Sequence, residues 1–237
     1  MNFEQALQLF VPLHVIGGTA ALALFWIAAV LKKGSPLHRR VGQAYLAAML
    51  VILITAIPLI ALTWTRGNVV TSVFLAYLTA LIAISCRNTL AAIRFREDPA
   101  RFFGRDVQVL AFVVGLAGVA VIVLGLTRQA WILVGFGMIG PFLLTATGKA
   151  IRARRRGAGL EPRWWLKEHY GAVVANGAAT HIAFFQIGMS RLFPNADLGV
   201  IQNLAWFGPL VAAFVAAAWL NRRYGTHRVG SVQGAGG

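Results

Sequence analysis

Long apolar stretches separated by short polar segments dominate the sequence. Seven of them approach or exceed the roughly 20 residues that an α-helix needs to cross the hydrocarbon core of a bilayer. They predict an all-α fold, a polytopic transmembrane bundle of about seven helices in one domain over residues 1–220. A disordered tail is expected over residues 221–237, where glycine and polar residues prevail. The predicted helices cover residues 7–31, 41–64, 69–90, 107–126, 131–150, 165–193 and 200–220.

Positive charge alternates between the segments that connect these helices. The segments after the first, third and fifth helices, together with the tail, contain 19 of the 22 Lys and Arg residues, and the other three connections contain one each. We call the first side the basic face and the second the opposite face. Because short cytoplasmic loops are enriched in Lys and Arg, the alternation predicts an external N-terminus and a cytoplasmic C-terminus.

The composition narrows the class of protein. A hydrophobic content of 58% and a mean hydropathy of +0.70 lie outside the usual range of soluble domains, which leaves the lipid bilayer as the expected surroundings. A net charge of +15 would suit a nucleic-acid partner, but its dispersal over short loops provides no binding face, and nucleic acid is excluded. Cys86 is the only cysteine, so no intramolecular disulfide or Cys/His zinc pattern is expected.

Four histidines are the main candidates for chemistry. His14 and His181 lie in the outer parts of the first and sixth predicted helices, which run in opposite directions, so their depths should agree within about 8 Å. His38 is expected in the first basic loop and His169 at the basic-face start of the sixth helix. Two pairs on two faces are typical of stacked bis-histidine sites, which makes haem b the candidate cofactor. If a metal ion binds instead, His14 and His181 are the expected ligands.

Other polar residues accompany the histidines. Arg39 and Arg40 follow His38, and their guanidinium groups suit haem propionates, quinone headgroups or lipid phosphates. Asn176 and Thr180 share a helix face with His169 and form a stripe that serves either packing or a proton path. Hydrogen bonding between helices is the alternative role for His14 and His181.

The segment GFGMIG matches the dinucleotide-binding fingerprint G-x-G-x-x-G. It lies inside the fifth predicted helix and follows no strand, so we interpret its glycines as helix-packing positions. The adjacent Pro141 predicts a kink.

Several segments resemble a bacterial family of multi-helix membrane proteins catalogued only as a domain of unknown function. They are LHVIGGTAALAL, KKGSPLHRRVGQAY and WLKEHY with a membrane histidine beyond it, and the likeness covers about the first 190 residues. Its most specific part contains His38, Arg39, Gly42 and Tyr45. The resemblance implies a multi-pass fold in the bacterial cytoplasmic membrane and no established activity. The chain is also similar, more loosely, to small haem-handling or oxidase-assembly membrane proteins.

Three functional hypotheses follow. The first is a haem-binding or metal-binding protein with a role in membrane electron transfer or in respiratory-complex assembly, and with a quinone or a respiratory complex as partner. If it is an enzyme, it is a membrane oxidoreductase component. The second is a small-solute or proton-coupled transporter that uses His181, Asn176 and Thr180. The third is a scaffold subunit without chemistry of its own. The lack of an evident internal repeat counts against transport, and the sequence does not separate the first hypothesis from the third.

Overall fold

The computed structural model describes residues 3–157, 159–192 and 198–224. Over these residues the secondary structure is α-helical and contains no strand. The all-α bundle predicted from the sequence is therefore confirmed. The helices are α1 (Phe3–Val30), α2 (Pro36–Thr65), α3 (Val69–Arg94), α4 (Pro99–Phe102), α5 (Arg105–Thr127), α6 (Trp131–Gly137), α7 (Ile139–Arg155), α8 (Trp164–Leu192) and α9 (Leu198–Tyr224).

Six helical stretches among the described residues are long and apolar enough to cross a bilayer. Their outward surfaces carry large apolar side chains such as Ile57, Phe112 and Phe214, each at least 60% exposed. Lipid is the solvent in which such surfaces are stable. The chain is thus a multi-pass integral membrane protein. The stretches are Gln8–Val30, Pro36–Thr65, Val69–Arg94, Pro99–Thr127, Trp131–Arg155 and Gln202–Tyr224.

Helix α8 is not among these six stretches. Many of its described side chains are polar, which lowers the mean hydropathy of the helix. It packs against α1, α3 and α9 and so lies inside the bundle. The Ser85 hydroxyl of α3 donates a hydrogen bond to the Ala172 carbonyl of α8 over 3.0 Å. The polar face of α8 is therefore turned toward protein.

Three buried apolar clusters lie among the described residues; one surrounds Phe102, and the other two hold the membrane helices together. The larger one joins α3, α5 and α6, with Phe74, Val114 and Phe136 among its buried members. The smaller one contains Ala21 of α1 and both Tyr45 and Met49 of α2. Helix α3 lies at the centre, because α2, α5 and α8 all pack against it.

The start of α2 differs from the expectation. The helix begins at Pro36, five residues before the predicted start, because Ser35 is its N-cap and accepts a hydrogen bond from the backbone N–H of His38 over 3.1 Å. A proline at the first helical position supports that start. The placement of His38 in a loop was therefore wrong, since it lies in the first turn of a helix. At the other end of the chain, α9 continues to Tyr224, and the rest of the predicted tail lies outside the described residues.

The segment between α3 and α5 is rich in charged residues, but much of it is packed. Asp98 caps the short helix α4, and Phe102 at its end is only 1% exposed. The Phe102 ring contacts the Trp164 ring at 5.0 Å between centroids, and the guanidinium of Arg87 lies 5.1 Å above it. Arg87 also pairs with Asp106 at 2.6 Å, which joins α3 to α5.

The predicted kink in the fifth membrane helix is confirmed as a break at Met138 between α6 and α7. Pro141 has no backbone N–H to offer the carbonyl of Gly137 one turn earlier. The Tyr77 hydroxyl lies 3.3 Å from that carbonyl and accepts a hydrogen bond from the Gly140 N–H over 2.9 Å. Tyr77 thus satisfies backbone groups that the break exposes.

Gly137 and Gly140 of GFGMIG have the packing role expected of them, whereas a Cβ atom on Gly135 would meet nothing within 4 Å. A Cβ atom on Gly118 of α5 would lie 2.6 Å from the carbonyl oxygen of Gly137, so these two helices approach closely only because both positions lack side chains.

Candidate functional site

His38 is held at the basic face by the end of α1. Its Nδ1 lies 3.2 Å from the carbonyl oxygen of Ala28. A carbonyl only accepts, so Nδ1 carries the proton and Nε2 keeps a lone pair. No hydrogen bond reaches this Nε2 from any residue that the structure describes.

His169 is held in the same way by α3. Its Nδ1 lies 2.9 Å from the carbonyl oxygen of Thr89, so Nδ1 is again the donor and Nε2 the atom with the lone pair. Within the described ranges this Nε2 also has no hydrogen-bond partner. The location of His169 near the start of α8 agrees with the sequence prediction.

These two histidines, which we call the basic-face pair, lie close enough that a proton added to His38 would disfavour protonation of His169. Lys33 is the third member of the cluster, and its charge acts on both imidazoles. Its ammonium group donates to the carbonyls of Ala28 and Ala29 over 2.9 Å and 2.6 Å. Partial burial lowers the pKa of Lys33 below its ordinary value. Ala28 therefore anchors both Lys33 and His38.

Open space lies beside the basic-face pair. Gly42 is one turn beyond His38 on the same helix, and a Cβ atom there would meet nothing within 4 Å although the residue is half-buried. Arg39 and Arg40 are exposed on the first two turns of α2 and make no ion pair with a described residue. The surroundings thus combine space with available positive charge.

The polar stripe predicted on α8 is confirmed and points toward α3 and α2. Asn176 is fully buried, and its Nδ2 lies 3.4 Å from the Thr89 hydroxyl. Thr180 donates to the Asn176 carbonyl over 2.9 Å and contacts the Met49 sulfur at 3.9 Å. Because Thr89 also accepts from His169, the stripe is continuous with the basic-face pair.

Two buried polar atoms beside this stripe lack a hydrogen bond of acceptable geometry within the described residues. They are the hydroxyl of Tyr45 and the Oδ1 of Asn176. The Tyr45 hydroxyl lies near Thr180 and near the thiol of Cys86, which in turn lies near Asn176.

His14 has a different environment. Its Nδ1 lies 2.8 Å from the hydroxyl oxygen of Thr55, which is 3% exposed. The Thr55 hydroxyl donates its own proton to the Val51 carbonyl over 2.7 Å, so the histidine is the donor to Thr55. His14 thus links α1 to α2.

His181 has both ring nitrogens satisfied. Nδ1 lies 2.7 Å from the Gly177 carbonyl, and Nε2 accepts from the indole N–H of Trp26 over 3.0 Å. The rings of Phe25 and Phe185 pack against the imidazole. These contacts are the interhelical hydrogen bonding that the sequence left open as the alternative role.

His14 and His181 have different partners in the structure. His14 bonds to Thr55, whereas His181 bonds to Trp26, which follows His14 by twelve residues on α1. The expectations that the two histidines share a depth and that they ligate a haem or a metal ion stay predictions.

The features that sequence reasoning missed lie around the basic-face pair. Ser35 and Pro36 form a helix-start signal that could have placed His38 on α2. Tyr45 follows His38 by seven residues, a spacing that places both on one helix face. No sequence signal places Cys86 beside Tyr45.

Fold and site together define a multi-pass helical membrane protein with a pair of histidines at its basic face. Comparison with protein-family models, with curated proteins and with solved structures finds no match to this chain. The resemblance to the bacterial family therefore stays a prediction. Among the described residues, no group of three or more His, Cys, Asp or Glu side chains is placed to hold a metal ion.

Proposed function

We propose that the protein binds haem b at the basic-face pair and carries electrons in a bacterial cytoplasmic membrane. The observation that carries this proposal is that His38 and His169 each commit Nδ1–H to a backbone carbonyl and keep an available Nε2. Histidines that ligate metals are almost always oriented in this way by their second nitrogen. His181 differs, because Trp26 uses its Nε2, and His14 differs only in that its Nδ1–H is donated to a side-chain hydroxyl and not to a backbone carbonyl.

The surroundings suit haem. Haem iron takes four ligands from the macrocycle and needs at most two from protein, which is the number the pair offers. The open position at Gly42 leaves room for a flat group beside the imidazoles. Arg39 and Arg40 are placed to bind propionates at the basic face. The bound haem would supply one-electron chemistry, and the residues of this chain would hold and orient it.

Partner and orientation belong to the same proposal. The excess of Lys and Arg at the basic face supports a cytoplasmic location for that face. A haem there would exchange electrons with a quinone in the bilayer or with a respiratory complex. Membership of the bacterial family named above, with its uncharacterised activity, is part of this proposal.

The visible absorption spectrum of detergent-purified protein from haem-replete cells tests the proposal. We expect a haem band in the wild type, a loss of that band in His38→Ala and in His169→Ala, and its retention in His181→Ala and His14→Ala. The last two variants are matched controls, because each also removes a half-buried histidine. Colourless wild-type protein, or loss of the band only in the control variants, would contradict the proposal.

A further inference from the structure

Polar and small residues form one stripe on the face of α2 that points into the bundle. His38, Gly42, Tyr45 and Met49 follow one another at intervals of four, three and four residues, which keeps them on one side of a helix. Tyr45 is 4% and Met49 1% exposed, so this side of α2 is the buried one.

Helices α3 and α8 complete the surroundings of this stripe. Helix α3 contributes Thr89 and, one turn away, Cys86. Helix α8 contributes His169, Asn176 and Thr180, which reach Thr89 and Met49. The three helices therefore enclose one polar region that begins at the basic-face pair.

Buried polar atoms without partners point to a ligand in this region. The hydroxyl of Tyr45 and the Oδ1 of Asn176, on residues that are 4% and 0% exposed, have no hydrogen bond of acceptable geometry within the described part of the chain. Such groups are usually satisfied by internal water, which needs two to four polar neighbours. Thr180 and Cys86 lie beside the same two atoms and supply those neighbours.

The region is open toward the basic face and closed on the other side. A Cβ at Gly42 would meet nothing within 4 Å, and Cys86 is only half-buried. Tyr45 and Cys86 pack against an apolar layer that includes Ala21, Met49 and Ile82. The eleven residues from His38 to Met49 span about 16 Å, roughly half of the hydrocarbon thickness of a bilayer.

We propose that Gly42, Tyr45, Cys86, Asn176 and Thr180 line a water-filled cleft that enters from the basic face and ends at this apolar layer. The cleft begins at the basic-face pair and admits water from one side of the membrane only. It does not require the proposed haem.

The natural cysteine provides the test, because Cys86 is the only thiol in the chain. The anionic reagent 2-sulfonatoethyl methanethiosulfonate does not partition into lipid and modifies only thiols that water reaches. We expect it to label Cys86 of the full-length protein in membrane vesicles whose basic face is exposed, with the adduct measured by intact mass. That face is identified by labelling of Arg96→Cys in a Cys86→Ala background.

A cysteine at matched depth is the control. Ala47 lies on α2 between Tyr45 and Met49 but is exposed on the outer, lipid-facing side. We expect Ala47→Cys in the Cys86→Ala background to react about tenfold more slowly than Cys86, because a thiol in lipid forms little thiolate. Equal labelling rates for Cys86 and Ala47→Cys would mean that the reagent reaches both thiols through lipid, which would overturn the cleft. A Cys86 that is labelled only after denaturation would overturn it as well.

Closing the cleft is the second measurement. In Gly42→Leu the new side chain fills the open space, and we expect labelling of Cys86 to slow about tenfold in a protein whose Tm is unchanged within a few degrees. An unchanged labelling rate would show that water reaches Cys86 by another route and would overturn the proposed lining. A colourless wild type with a reactive Cys86 would remove the haem proposal and leave the cleft standing.

Discussion

His38 and His169 differ from His181 in what surrounds their ring nitrogens. At the basic face, His38 and His169 are each held by one carbonyl, and the second nitrogen is available beside open space. His181 has both nitrogens bonded and is closed in by Trp26 and by aromatic rings. The difference shows that spacing along a sequence does not tell an imidazole with an available nitrogen from one whose two nitrogens are both bonded, whereas the hydrogen bonds of the two ring nitrogens do.

The largest expected effect is on the redox behaviour of the basic-face pair. Replacement of an axial imidazole by a thioether raises the reduction potential of haem. We expect His38→Met to retain haem with a midpoint potential raised by a sizeable part of the roughly 0.8 V that axial ligands span. Redox titration of the absorption band measures the shift, and His14→Met serves as the control with an unchanged potential. An equal shift in both variants would remove the distinction between the pairs.

Two glycines test the contrast between open and packed surroundings. A Cβ at Gly177 would collide with the ring of Phe25, which packs against Trp26 and His181, so we expect Gly177→Ala to lower the free energy of unfolding by about 1–3 kcal/mol. Gly42→Ala meets open space, and alanine favours helix over glycine, so it should raise stability by about 0.5–1 kcal/mol. Denaturant unfolding in detergent measures the free energy of unfolding of both variants. If Gly42→Ala lowered it and Gly177→Ala raised it, the surroundings of Gly42 would be the packed ones and those of Gly177 the open ones.

The smallest expected effect concerns the hydrogen bond between Trp26 and His181. Trp26→Phe keeps most of the ring but removes the indole N–H, and interhelical hydrogen bonds in membrane proteins contribute about 0.6 kcal/mol on average. We expect a loss of about that size in the free energy of unfolding and no change in haem content. If haem were lost from this variant, the surroundings of His181 would have a functional role that their geometry does not indicate.

Much of the fold could be predicted because a bilayer admits few solutions for long apolar stretches. The helix count and the break near Pro141 follow from chain-local rules about length, charge and the missing N–H of proline. The partner of His181 could not be predicted, since it depends on how the Phe25 ring packs against Gly177 across the interface of α1 and α8.

The candidate histidines could be predicted from the sequence, but which residues surround each of them could not. His38 was placed in a loop because the apolar pattern begins at Val41, although the Ser35 cap and Pro36 start the helix earlier. Its tautomer depends on the Ala28 carbonyl of another helix, which sequence spacing cannot show. The packing of Phe102 under Arg87 was missed for another reason. The segment around Phe102 is highly charged, and its composition does not indicate a buried ring.

Imidazole rescue tests the central claim most directly. His169→Gly removes one proposed ligand and leaves a space of the size of imidazole, so the purified variant should lose the low-spin haem band and regain it when imidazole is added to the haem-supplemented protein. His181→Gly should keep the band without imidazole. The account would be contradicted by a His169→Gly variant that keeps the wild-type band, or by a His181→Gly variant that loses the band and regains it with imidazole.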